Sequence, residues 1–142
     1  MYKILLPNDG SENALRAVHY AVSLARDHRA AALHLVTVQT DPILYGEIAV
    51  YLDQEKLARA LREQSEALLK PAEEVLRTAG VSYDKEILVG DVAPSIVRRA
   101  EELGCRVIVM GTRGMGALAN LMLGSVATKV VHLSKLPVTL IK

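Results

Sequence analysis

The chain has 142 residues, of which 51% are apolar and 23% charged, with a formal net charge of +1 and one cysteine. These figures fit a single globular domain spanning 1–142 and exclude a disordered chain, a disulfide framework and a zinc site of several thiolates. So small a charge gives no bulk electrostatic case for nucleic acid or a membrane surface, no apolar run is long enough to span a bilayer, and "MYKILLPNDGS" lacks a signal peptide's layout, so a cytoplasmic protein is expected.

In chain order, "YKILLP" is a short apolar run stopped by a proline and reads as a buried strand. From Ser11 to His28, Leu15, Val18, Val22 and Ala25 recur at helical spacing, and either Ser11 or Asp9 can cap the start. A second strand is expected over 31–38 and a loop over 39–52, where Pro42 and Gly46 fall. Asp53 to Ala79 is an amphipathic helix with Leu57, Leu61, Leu68, Ala72 and Val75 on one face. Pro71 is expected to kink or split it, and Gly80 to stop it. "VSYDKEILV" (81–89) is the third strand. Asp91 caps a helix running through Leu103, with Pro94 tolerated in its first turn. "CRVIVMG" is the fourth strand, Ser125 to Leu133 a further helix, and "PVTLIK" the fifth strand.

Strands alternating with helices predict crossover units, a parallel sheet and helices on both faces: a doubly wound α/β domain. Phe and Trp are absent, so the core is expected from Val, Leu, Ile, Ala and Met. In such folds ligands bind beyond the carboxyl ends of the strands, where the strand order reverses.

Two segments feed that rim. One is "PNDGS" (7–11); the other is "GTRGMGALANLMLGS" (111–125), with four glycines and a serine in fifteen positions. Glycine loses the most backbone freedom on folding, so this density asks for a reason. No Asp or Glu follows Glu102, whereas Arg106, Arg113, Lys129, Lys135 and Lys142 do, which suits an anion. Backbone N–H groups at Gly111 and Gly114, with Gly124 and Ser125 opening a helix, would receive a phosphate chain, most simply that of a nucleotide.

Competing motifs fail on context. "GMGALA" (114–119) fits G-x-G-x-x-A, but the acidic residue required about 20 positions on is missing. There is no Walker loop and no G-x-S-x-G elbow. His19, His28 and His132 fall on helices as surface residues, and His34 reads as a hydrogen-bonded sheet residue. Cys105 reads as a small buried hydrophobe.

These residues resemble the universal stress protein family. Its nucleotide signature, G-x2-G-x9-G-[ST], is matched at Gly111, Gly114, Gly124 and Ser125, and "KILLPNDGSENA" and "GSVATKVVHLSKLPVTLIK" are similar to the family's opening and closing segments. The resemblance implies the strand order 3-2-1-4-5 and ATP (or ADP or AMP) with Mg²⁺ as ligand. It places adenine and ribose on Pro7, Asn8, Asp9 and Val38. Phosphates fall on Gly111, Arg113, Gly114, Gly124, Ser125, Val126 and Ala127, with Met110 beneath the nucleotide. Asp9 is the one metal contact it suggests, through water. Asn8 departs from the small or β-branched residue commoner there, and Thr128 from a common acid.

The functional expectation is a nucleotide-binding regulatory module in the stress response, with an unidentified protein partner as a further expectation. The alternatives are a slow ATP hydrolase and a nucleotide-free interaction protein of the same fold. Hydrolysis needs a group that positions water, and no residue of the motif clearly supplies one, so no catalytic residue is assigned. The apolar last strand, 136–142, lies at a sheet edge in the implied order and is expected to pair with a second copy, with Thr139→Pro as the disrupting change.

Overall fold

The computed structural model describes residues 1–40, 53–113 and 123–142. Its elements are β1 (Tyr2–Pro7), α1 (Glu12–Asp27), β2 (Ala31–Gln39), α2 (Gln54–Thr78), β3 (Tyr83–Val89), α3 (Val92–Glu102), β4 (Val107–Gly111), α4 (Ser125–Leu133) and β5 (Val138–Ile141). All four strand pairings are parallel, and the sheet order is β3-β2-β1-β4-β5. The order reverses between β1 and β4, because successive crossovers run outward from β1 in one direction and then from β4 in the other.

Alternation along the strands splits the core in two. Ile4, Leu6, Leu33, Leu35, Val107 and Val109 face α1 and α2, packing on Ala17, Val18, Leu69 and Leu76. Leu5, Val36, Ile108 and Met110 face α3 and α4, packing on Ile96, Ala100, Ala127 and Val130. Both faces of β1 and β4 are therefore buried, which is why those strands read as unbroken apolar runs.

Four expectations are corrected. Pro71 does not split α2, which is assigned as one helix of 25 residues. Pro71 and Ala67, whose carbonyl loses its partner, are both exposed, so water can take the missing bond. The buried line of α2 is Ser65, Leu69, Ala72 and Leu76, with Leu68 and Val75 partly buried beside it, one position round from the expected stripe. Asp91 occupies the N-cap position of α3 but makes no side-chain capping bond. The expected 39–52 loop begins later, since Gln39 still pairs with Val89, and its remainder from 41 lies outside the described residues.

His34 is the sheet residue expected: its Nε2 meets Glu86 Oε2 at 2.9 Å, and Arg99 Nε donates to the same oxygen at 2.8 Å. Cys105 is buried, and that burial pushes its thiol up, away from the reactive thiolate.

Candidate functional site

The rim above the carboxyl ends of β1 and β4 is built from two loops locked by local hydrogen bonds. After β1, Asn8 N–H donates to the Val36 carbonyl (2.8 Å), which ties the loop to β2. The Asn8 amide oxygen accepts from Gly10 N–H (2.8 Å), and Asp9 Oδ1 accepts from Ser11 N–H (3.0 Å). Ser11, not Asp9, caps α1, its Oγ accepting from Ala14 N–H at 3.1 Å. Asn8 is 5% exposed, and its amide serves as a turn acceptor. Gly10 has φ +81°, and a Cβ there would lie 2.9 Å from Leu68 Cγ, so α2 leans directly on this loop.

After β4 the chain enters the glycine-rich segment through Gly111 and Thr112 and returns at Gly124. Thr112 N–H donates to the Ile141 carbonyl (2.9 Å), and Gly124 N–H donates to the Thr112 carbonyl (2.7 Å). Inside the fold, Asn13 Nδ2 donates to Thr112 Oγ1 at 3.3 Å. The segment's two ends are thus pinned together and to α1 and β5. Gly111 has its own reason to be glycine: a Cβ would stand 2.9 Å from the Asn13 carbonyl carbon and Cβ and 3.0 Å from Ala14 N. What approaches this backbone at Gly111 is the first turn of α1.

From Gly124 the chain turns into α4. Gly124 is the N-cap residue, it has no side chain to offer, and α4 has no side-chain cap. Its first turn also carries no acidic residue. Thr128 donates its hydroxyl to the Gly124 carbonyl at 2.9 Å. The amides of Ser125, Val126 and Ala127 therefore open a helix of nine residues that ends in partial positive charge beside the neck at Thr112.

The expected site residues distribute as follows. Pro7, Asn8 and Asp9 close β1. Val38 lies near the end of β2, half-buried. Met110 and Gly111 end β4, with Met110 buried, and Arg113 follows the neck, half-buried. Gly124, Ser125, Val126 and Ala127 start α4, with Ser125 exposed and Ala127 buried. Pro7, Asn8, Asp9, Met110, Gly111 and Arg113 lie at or just beyond the carboxyl ends of β1 and β4, where the strand order reverses; Val38 is near the end of neighbouring β2, and the start of α4 is tied to the β4 end by the Gly124–Thr112 hydrogen bond. Gly114 lies outside the described residues. Among the described residues no group of three or more His, Cys, Asp or Glu is arranged to hold a metal. Asn13 and Thr112 are the residues that motif reading passed over. Both are polar residues that the fold buries, at 7% and 6% exposure.

A five-stranded parallel sheet in this order, with helices on both faces, defines a doubly wound α/β class of fold. The universal stress protein family model matches residues 1–142, and the chain belongs to that family. It is 35% identical over 144 residues to a universal stress protein of Thermus aquaticus, with all of both chains covered. The solved structure of hypothetical protein MJ0577 superposes with a TM-score of 0.85 at 28% identity, covering 99% of this chain and 95% of that one. A universal stress protein solved in complex with cAMP superposes with a TM-score of 0.69 at 25% identity, covering 99% and 96%.

Proposed function

We propose that the protein binds an adenine nucleotide, ATP with Mg²⁺ in its principal state, on the rim between β1 and β4. The observation that carries this reading is the uncapped N-terminus of α4, held beside the glycine-rich segment by the Gly124–Thr112 hydrogen bond. Helix amides with no capping side chain and no acidic residue in the first turn favour an anion. The relative solved with cAMP supports the adenine part of the reading. Phosphates lie toward Ser125, Val126 and Ala127, with Arg113 adding charge. The base and ribose lie toward Pro7, Asn8, Asp9 and Val38. Mg²⁺ is held mainly by phosphate oxygens and water, with Asp9 as an outer contact, as suits an ion that keeps most of its waters.

The protein then acts as a regulatory binding module of the stress response, working in the cytoplasm as a homodimer paired through β5. That edge strand leaves outward N–H and C=O groups that a second copy satisfies under two-fold symmetry. Isothermal titration of nucleotide-stripped protein with MgATP tests the reading, together with identification of any nucleotide that copurifies. Saturable binding of ATP is expected. Absence of heat with ATP, ADP and AMP alike contradicts it.

A further inference from the structure

Thr112 is a junction. Its N–H is used by β5 (Ile141 carbonyl, 2.9 Å), its carbonyl by the start of α4 (Gly124 N–H, 2.7 Å), and its hydroxyl by α1 (Asn13 Nδ2, 3.3 Å). Thr112 is 6% exposed and Asn13 is 7% exposed, so neither bond has water as a ready substitute. Asn13 is itself fixed: it sits in the first turn of α1, which Ser11 caps and whose backbone lies against Gly111. One turn later on α1, Arg16 Nε donates to the Lys142 carbonyl at 2.8 Å, so the same helix also grips the residue that follows β5.

We propose that Thr112 and Asn13 are positioning residues that aim the first amides of α4 at the nucleotide's β and γ phosphates. The inference rests on the nucleotide reading above and deepens it. The Gly124–Thr112 bond sets where α4 begins relative to β4, and the Asn13 amide prevents Thr112 from rotating that anchor. Each side chain is spent on the other, and each acts through the backbone it holds. Such a pair affects the phosphates set against α4 more than the base and ribose set against the ends of β1 and β2, because the bond it steadies fixes where α4 starts.

The test compares MgATP and AMP affinities for wild type, Thr112→Val, Thr112→Ser and Asn13→Ala by isothermal titration, with thermal melts on each. Thr112→Val is expected to weaken ATP by about tenfold, the scale of one buried hydrogen bond left unmade, and AMP by about threefold at most. Thr112→Ser keeps the hydroxyl and is expected to bind ATP as wild type does. Asn13→Ala reaches the same bond from the other side and is expected to give the same selective loss. It also carries the test if Thr112→Val does not fold. In the double variant the losses do not add, as for residues sharing one contact. Equal losses for ATP and AMP, unchanged ATP affinity, or failure of Thr112→Ser to restore it overturns the positioning role while leaving the nucleotide reading intact. A wild type that binds neither ligand overturns both.

Discussion

Asn13 and Gly111 touch so closely that a single added carbon has no place: a Cβ on Gly111 would stand 2.9 Å from the Asn13 carbonyl carbon. The atoms in the way include backbone, so no side-chain rotation relieves the overlap. Gly111→Ala is therefore expected to lose about 1–3 kcal/mol of stability through overpacking between β4 and α1. Urea unfolding of the variant measures it. A midpoint equal to wild type would show that α1 can withdraw freely from β4.

Gly10 and Gly80 separate backbone strain from crowding. Both have positive φ, +81° and +68°, but a Cβ at Gly10 meets Leu68 Cγ at 2.9 Å, whereas at Gly80 nothing lies within 4 Å. Gly80→Ala is expected to cost about 1 kcal/mol, the conformational part alone, and Gly10→Ala clearly more. Matched thermal or urea melts of the two variants decide. Equal losses would mean that Leu68 yields without cost.

Glu86 gives the fold an acid-sensitive joint. Burial works to raise its carboxyl, but hydrogen bonds from His34 and Arg99 outweigh it, so the folded value lies below the ordinary 4.5. A depressed carboxylate contributes stability that is present above the unfolded value and lost as pH falls through the folded one. The stability gap between wild type and Glu86→Gln is thus expected to be widest near neutral pH and to close below about pH 4. A gap independent of pH would mean that the packing of Glu86, not its charge, matters.

Much of the architecture was legible because strands β1, β2 and β4 are short apolar runs and the helices carry clean periodicity. The sheet order was not: alternation predicts a parallel sheet without saying which strand neighbours which, and the order came through the family resemblance. Within the site, the glycine frame and the "PNDG" loop were visible as motifs. Three things were hidden for physical reasons. Whether Ser11 or Asp9 caps α1 depends on a rotation of one or two residues that either side chain permits. The purpose of Gly111 depends on α1, nearly a hundred residues earlier. The Asn13–Thr112 bond is likewise a contact across 99 positions, which no local pattern reports. Pro71 leaves α2 unsplit because Pro71 and Ala67 both lie on its exposed side, where water can take the bond that the Ala67 carbonyl loses.

The β5 edge alters one expectation. The carbonyls of Pro137 and Ile141 accept from Ile108 and Thr112, so residues 137, 139 and 141 turn their backbone groups toward β4. Thr139→Pro would then break the sheet itself, and the outward groups belong to Val138 and Leu140. Leu140→Pro removes an outward donor and is expected to shift a dimer toward monomer, whereas Thr139→Pro mainly destabilises the fold. Light scattering with thermal melts distinguishes them. A wild type that is monomeric at micromolar concentration contradicts pairing through β5.

The central claim, that the nucleotide's phosphates rest on the start of α4, is tested most directly by following backbone amide resonances as MgATP is added. The largest shifts are expected at Gly124, Ser125, Val126 and Ala127, with smaller ones at Asn8, Asp9 and Val38 from the base and ribose. The α4 set should shift less with AMP, which lacks the outer phosphates. ATP-induced shifts that spare residues 124–127, or no shifts at all at saturating MgATP, would contradict the account.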